Sequence, residues 1–140
     1  MTYGCDTSFL MRILTNHPNP LAGRVIEAAH FRIQAGDRFE ISDLVLSETY
    51  YALQASYGVA KADAIALLGK IAGTEGFIVS DRAKEILSVP NLWKTNPGFV
   101  DRLIHGQYFS EAKTTVSCEK SFKKLPLTEV FLATPNGKEA

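Results

Sequence analysis

The sequence has few cysteines, and this excludes several small metal-dependent folds. Its 140 residues contain two cysteines, Cys5 and Cys118, with no CxxC motif and no nearby histidine pair. A zinc finger or zinc ribbon is therefore excluded. A chain of this length buries roughly two-thirds of its unfolded surface, so a core forms without a disulfide. We expect both thiols to stay reduced.

The sequence also lacks an excess of charge and a long hydrophobic run. Fifteen Lys and Arg residues balance fifteen Asp and Glu residues, so net charge supplies no field for non-specific binding to nucleic acid or membrane. Any site for a polyanion must therefore be local. The first residues lack the basic start and apolar run of a signal peptide, and no stretch is long enough to span a membrane. We expect a cytoplasmic protein that does not associate with membranes.

What the sequence does have is the composition of an ordinary globular domain. Hydrophobic residues make up 46% of the chain and aromatic residues 10%, which is typical of a folded protein rather than a disordered one. No repeat or low-complexity tract divides the chain. We predict a single domain over residues 1–134, followed by a flexible tail at 135–140.

Short apolar runs alternate with helical patterns along the chain. The predicted strands are Tyr3–Cys5, Phe39–Ile41, Phe77–Val79, Thr114–Ser117 and Val130–Leu132. The predicted helices are Ser8–Leu14, Leu21–Ala35, Asp43–Tyr57, Lys61–Ala72, Asp81–Leu87 and Pro97–Ala112. This alternation predicts an α/β fold, a three-layer α/β/α sandwich with a central parallel sheet of four or five strands. Ligands of such folds bind at the carboxyl ends of the strands.

Asp6 lies where the first predicted strand passes into an apolar helix. Backbone N–H groups at such a junction favour anionic side chains. The carboxylate is therefore either the N-cap of the helix or part of a site at the strand end. The residue alone leaves both interpretations open.

Glu48 is the only charged residue between Leu44 and Tyr57. On a helix it shares a face with Leu44, Tyr51 and Ala55, which predicts that its carboxylate points towards the core. A buried carboxylate needs a partner. Either a metal ion or a Lys or Arg from elsewhere in the chain fills that role.

Asp101 and Glu119 complete a set of four candidate acids. Asp101 lies on a helix beside the apolar residues Val100, Leu103, Ile104 and Tyr108. It is either a ligand or a surface acid in the first turn that stabilises the helix dipole. Glu119 follows the fourth predicted strand. With Asp6 and Glu48 they can converge on one edge of the sheet. Carboxylates that meet there repel one another unless a hard divalent cation lies among them. Their convergence predicts a site for Mg²⁺ or Mn²⁺.

Four motifs in order suggest a known family. They are Asp6-Thr7-Ser8-Phe9-Leu10, Ile41-Ser42-Asp43 leading to Leu46-Ser47-Glu48, Phe99-Val100-Asp101-Arg102-Leu103-Ile104, and Phe122-Lys123-Lys124-Leu125-Pro126. Over nearly the whole chain this order resembles a PIN domain, and in particular the VapC-like ribonuclease toxins of prokaryotic toxin–antitoxin pairs. The resemblance implies a homodimer and a small antitoxin partner.

The resemblance also assigns roles to individual residues. It implies that Asp6, Glu48 and Asp101 surround Mg²⁺ or Mn²⁺ as catalytic and metal-binding residues, joined by Glu119. Thr7, Ser8 and Ser117 would be their hydroxyl neighbours. The family usually has Asp at the position of Glu119 and often another two residues later, where this chain has Ser121. It also tends to have small residues after the third acid, where His105 is expected to crowd or tune the site.

The chemistry of such a site is hydrolysis of phosphodiester bonds. A divalent metal activates water and stabilises charge on the phosphate, so no covalent nucleophile is needed. The candidate phosphate contacts are Arg12, Arg102, Lys120, Lys123 and Lys124, since RNA binding needs local cations. Two alternatives remain open: a non-catalytic PIN-like module that binds RNA or protein, and a PIN nuclease of RNA processing.

Overall fold

The protein is described by a computed structural model over residues 1–15 and 20–131, and within these it is an α/β fold. Its helices are Thr7–Leu14 (α1), Pro20–Gln34 (α2), Asp43–Tyr57 (α3), Lys61–Ala72 (α4), Asp81–Leu87 (α5) and Phe99–Ser110 (α6). Its strands are Thr2–Gly4 (β1), Arg38–Glu40 (β2), Phe77–Ile78 (β3), Thr115–Ser117 (β4) and Thr128–Val130 (β5). Two short 3₁₀ helices span Leu92–Lys94 and Lys120–Lys124. The predicted class is confirmed, and the tail expected at 135–140 lies outside the described residues.

The strands form two parallel sheets instead of the single sheet that the sequence predicted. β1, β2 and β3 pair in that order, and β4 pairs with β5. The prediction of one central sheet of four or five strands is therefore wrong for the described part of the chain. Strands of two or three residues make few ladder hydrogen bonds, and β4 is held by β5 and by contacts with α6.

Aromatic side chains hold the three-stranded sheet together. Phe39 on β2 is in register with Tyr3 on β1 and Phe77 on β3. The ring centroids of Tyr3 and Phe77 lie 6.2 Å and 5.8 Å from that of Phe39. Phe9 of α1 covers the same ring at 5.3 Å. Such cross-strand aromatic contacts stabilise short strands that few hydrogen bonds could hold.

The core lies between the sheet and the helices that follow its strands. It includes the buried side chains Leu10, Ile41, Leu46, Leu53, Leu68, Val79, Leu92, Phe99 and Leu103. The inner face of α4 is formed by Leu68, Ile71 and Ala72, which are buried, and by Ile65, which is half-buried.

Gly76 occupies the tight turn before β3. Its φ is +92°, which L side chains rarely adopt. A Cβ at this position would meet the side chain of Ile33 at 2.5 Å, so α2 packs directly against the turn. Glycine is thus required here both by backbone conformation and by the closeness of α2.

Candidate functional site

Asp6 lies just beyond the carboxyl end of β1 and caps α1. Its Oδ1 accepts a 2.8 Å hydrogen bond from the backbone N–H of Phe9. The N-cap interpretation is therefore correct. The carboxylate is also exposed at the end of a parallel strand, so capping leaves it within reach of solvent and of a ligand.

Glu48 is joined to this strand end through Thr7. The Oγ1 of Thr7 donates a 2.8 Å hydrogen bond to Oε2 of Glu48. Thr7 follows Asp6 directly, so residues of α1 and α3 bring two carboxylates to one corner of the fold. Packing between α1 and α3 supports the arrangement.

The orientation of Glu48 differs from the prediction. Glu48 is exposed, and so are Leu44, Tyr51 and Ala55, which share its face of α3. The core face of the helix is formed by Leu46, Thr49, Tyr50 and Leu53 instead. The prediction that Glu48 faces the core is therefore wrong. Because α3 is apolar nearly all round, its composition did not indicate which face packs inward.

Cys5 lies next to Asp6 and its acidity reflects this position. Burial and, to a smaller extent, the negative charge of Asp6 raise the pKa of the Cys5 thiol to about 11. The thiol is therefore protonated at neutral pH and a poor nucleophile. Cys5 and Cys118 are both free, and Cys118 is exposed. The polar groups that this corner offers to a ligand are therefore carboxylates and hydroxyls.

Asp101 lies in the first turn of α6, half-buried. Phe99, two residues earlier, packs edge-on against Tyr50 of α3 with ring centroids 5.3 Å apart. The helices that carry Glu48 and Asp101 are thereby in contact through their buried faces. Of the apolar residues predicted beside Asp101, Leu103 is buried, Val100 half-buried, and Ile104 and Tyr108 exposed.

Glu119 follows β4 and precedes the second 3₁₀ helix, as expected for an acid at a strand end. Its backbone N–H donates a 3.0 Å hydrogen bond to Oγ of Ser117. Its side chain is exposed. Ser117 therefore shapes the turn that presents Glu119 by accepting a bond from its backbone.

The predicted phosphate contacts occupy several surfaces. Arg12, Lys120, Lys123 and Lys124 are exposed, and Arg102 is half-buried. Two of them contact the segment before α6: Nε of Arg102 donates to the carbonyl of Pro97 at 2.8 Å, and Nζ of Lys124 donates to the carbonyl of Asn96 at 3.1 Å. Ser8, another predicted hydroxyl neighbour, is exposed in the first turn of α1.

The four acids do not form one metal-binding cluster. Across residues 1–15 and 20–131, no three His, Cys, Asp or Glu side chains lie close enough together to hold a metal ion. What the structure brings together is Thr7 and Glu48, with Asp6 directly before Thr7 in the chain. Two carboxylates can supply part of the coordination shell of Mg²⁺. This ion is usually bound by one or two carboxylates, and waters and substrate phosphates supply its other ligands.

His105 is a buried residue of the α6–β4 contact. Its Nδ1 and the Oγ1 of Thr115 share a hydrogen bond of 2.9 Å. Burial lowers the pKa of His105, which favours the neutral ring. The His105 side chain therefore connects α6 to β4. The effect on the candidate acids that the sequence analysis expected would be transmitted by the position of α6, which carries Asp101.

A polar cluster at the ends of β2 and β3 was missed by sequence reasoning. Oδ2 of Asp43 accepts from Nε of Arg82, and its Oδ1 accepts a 2.7 Å hydrogen bond from Oγ of Ser80. These residues line a cleft of about 420 Å³. The sequence did contain an indication of this cluster. The dipeptide Ser-Asp occurs one residue after β2 and again one residue after β3, and its serines, Ser42 and Ser80, are both helix N-caps.

Comparison with known proteins gives one structural likeness. No family model and no curated protein matches the chain. The chain is similar to a chain in the crystal structure of VapBC2 from Rickettsia felis bound to a DNA fragment from their promoter, with 20% sequence identity and a TM-score of 0.37. The likeness covers 93% of this chain and 98% of the other. At this identity and TM-score it assigns neither a family nor an activity. None of the helices within residues 1–15 and 20–131 has the length and hydrophobicity of a membrane-spanning segment.

Proposed function

We propose that the protein is a metal-dependent endoribonuclease that hydrolyses phosphodiester bonds of RNA. The observation that carries the proposal is the Asp6-Thr7-Glu48 arrangement at the carboxyl end of β1. Exposed carboxylates at the end of a parallel strand lie where α/β folds bind ligands. The PIN-like order of the motifs supports the same conclusion.

Individual residues of the chain would have different roles in metal binding and proton transfer. Asp6 and Glu48 would hold Mg²⁺ or Mn²⁺, which when bound activates water and stabilises charge on the phosphate. Thr7 fixes Oε2 of Glu48, and the other oxygen would either contact the metal or accept a proton from the attacking water. Asp101 and Glu119 are proposed as further catalytic and metal-binding residues on the strength of the motif order alone.

Substrate binding would depend on local cations, because the chain has no net charge. Arg12, Arg102, Lys120, Lys123 and Lys124 are the proposed contacts to RNA phosphates. Ser8 and Ser117 are proposed to position water or phosphate by hydrogen bonding.

The biological role proposed is that of the toxin in a prokaryotic toxin–antitoxin pair. Such a role implies a cytoplasmic homodimer and a small antitoxin that binds it. The outward face of α3 is apolar on both sides of Glu48, since Leu44 is 69% and Tyr51 57% exposed, so a dimer contact on this helix would have to flank Glu48 and leave it accessible. Light scattering and co-purification with the product of an adjacent small gene test these two partners.

Cleavage of structured RNAs by the purified protein tests the activity. We expect cleavage with Mg²⁺ or Mn²⁺, none with EDTA, and at least a hundredfold slower cleavage by Asp6→Asn. Asp63→Asn is a matched control, because Asp63 is an exposed acid in the first turn of α4. Activity that survives EDTA, or that is equal in Asp6→Asn and Asp63→Asn, would contradict the proposal.

A non-catalytic module that binds RNA is the second candidate. The observation that favours it is that the four acids do not meet in one cluster among the described residues. In that case RNA binding would persist without cleavage, and Asp6→Asn would leave the dissociation constant unchanged or lower it by removing a negative charge near the phosphates. Measuring binding and cleavage on the same RNA separates the two candidates.

A further inference from the structure

The segment between α5 and α6 exposes the single tryptophan of the chain beside a lysine. Leu92 is 2% exposed and anchors the first 3₁₀ helix, which packs on α4. The neighbouring Trp93 is 45% exposed. The Nζ of Lys94 lies 5.8 Å from the centroid of the Trp93 ring. The buried leucine therefore fixes a turn that presents an aromatic face and a positive charge together.

Two further cations reach this segment from other elements. Arg102 of α6 donates to the carbonyl of Pro97, and Lys124 of the second 3₁₀ helix donates to the carbonyl of Asn96. Neither residues 86–100 nor residues 120–128 contain an Asp or Glu. Lys94, Arg102 and Lys124 thus bring three positive charges to this segment, and the acids nearest to Arg102 and Lys124 in the sequence are Asp101, Glu119 and Glu129. We name Trp93, Lys94, Arg102 and Lys124 the tryptophan platform.

We propose that the tryptophan platform binds single-stranded RNA, with an unpaired base stacked on Trp93 and the flanking phosphates held by Lys94 and Lys124. An aromatic ring beside cations is the combination with which proteins hold single strands, because every base has a face that stacks. Bases inside a duplex are not available for such stacking. The inference rests on the proposed ribonuclease function and adds to it a site at which an unpaired stretch of the RNA is held.

The single tryptophan makes the contact directly measurable. A short single-stranded RNA is titrated into the protein in EDTA, so that no cleavage occurs, and tryptophan emission is recorded. Stacking of a base on the indole quenches this emission, and all of it comes from Trp93. We expect quenching that saturates with the single strand and is several-fold weaker with the duplex made from the same sequence.

Variants assign the affinity to the platform. With labelled single-stranded RNA, we expect Trp93→Ala to bind about tenfold more weakly and Trp93→Phe, which keeps a ring, to lose less. Lys94→Gln should also reduce the slope of log affinity against log salt by about 0.7. Phe31→Ala is the matched control, because Phe31 is an exposed aromatic on α2. Circular dichroism verifies that each variant is folded.

The possible results separate this inference from the proposed ribonuclease function. Quenching by RNA without any metal-dependent cleavage would support the platform and contradict the ribonuclease. Cleavage with unquenched Trp93, or with equal affinity of Trp93→Ala and wild type, would overturn the platform and leave the ribonuclease standing. Trp93 emission that responds to protein concentration and not to RNA would also overturn it, because the surface would then be a contact between copies of the chain.

Discussion

The hydroxyl of Thr7 donates a 2.8 Å hydrogen bond to Oε2 of Glu48, across 41 positions of the sequence. This bond fixes the orientation of an exposed carboxylate beside Asp6. We predict that Thr7→Val lowers the rate of RNA cleavage about tenfold, because the carboxylate loses its orienting donor while the side-chain volume is kept. Single-turnover cleavage assays with Mg²⁺ measure the effect.

Thr7→Ser provides the control for this prediction. It retains a hydroxyl that can donate to Glu48, so its cleavage rate should lie within a few-fold of wild type. A Thr7→Val enzyme as fast as the Thr7→Ser enzyme would mean that the bond has no part in the reaction.

A graded loss of activity is predicted for the two glutamates. Glu48 is held by Thr7 beside Asp6, whereas Glu119 lies in an exposed turn after β4. We expect Glu48→Gln to reduce cleavage about a hundredfold and Glu119→Gln less than tenfold. Cleavage rates of the two variants at saturating Mg²⁺ give the comparison, and the reverse order would place the reaction at the β4 end of the fold.

Helices α3, α4 and α5 begin and end at the predicted residues, and in α3 and α5 the sequence marks the start by a capping serine. α3 begins after Ser42, which caps it, and ends at Gly58, whose φ of +62° suits glycine. α5 begins after Ser80 in the same way. Capping is a local interaction that sequence reveals. The first strand, β1, formed although Gly4 weakens it, because aromatic contacts across the sheet stabilise it.

The site was predicted only in part, because its geometry depends on contacts between distant residues. The strand-end position of Asp6 followed from local pattern. The outward face of Glu48 did not, since helix α3 is apolar on both faces and the tertiary packing decides between them. The ion pair between Asp43 and Arg82 could likewise not be predicted from the sequence, although each residue lies near the end of a predicted strand.

The buried histidine predicts a loss of stability in weak acid. Burial lowers the pKa of His105 in the folded protein below its ordinary value of 6.5. As pH falls below about 6.5, the unfolded chain binds a proton that the folded chain does not, so the free energy of unfolding decreases by at most about 1.4 kcal/mol per pH unit. Urea unfolding at pH 7.5 and pH 5.5 measures the change.

His105→Gln isolates the contribution of this residue. Glutamine can still hydrogen-bond Thr115 but does not titrate, so the variant should lose less stability than wild type between the two pH values. Equal losses in the two proteins would show that other groups cause the acid sensitivity.

Replacing Gly76 is expected to cause both a steric clash and backbone strain, and replacing a second glycine separates the two effects. Gly76→Ala should lower the free energy of unfolding by about 3 kcal/mol, because the new Cβ meets Ile33 at 2.5 Å and φ is +92°. Gly36 has a φ of +99°, but a Cβ there would meet nothing within 4 Å. Gly36→Ala should therefore show the backbone cost alone. Equal unfolding free energies of the two variants would contradict the close packing of α2 on the turn.

The buried hydroxyl of Thr49 predicts a stabilising substitution. Thr49 is 0% exposed, and its Oγ1 has no hydrogen-bond partner within the part of the chain that the structure describes. Thr49→Val replaces this hydroxyl by a methyl group of similar shape, so it should raise the free energy of unfolding by about 1 kcal/mol. Thr115→Val is the matched control, because Thr115 is also buried but bonds His105, and its loss should destabilise the protein by about 1–2 kcal/mol. Denaturant unfolding of both variants measures these changes, and a Thr49→Val protein less stable than wild type would mean that the hydroxyl has a partner.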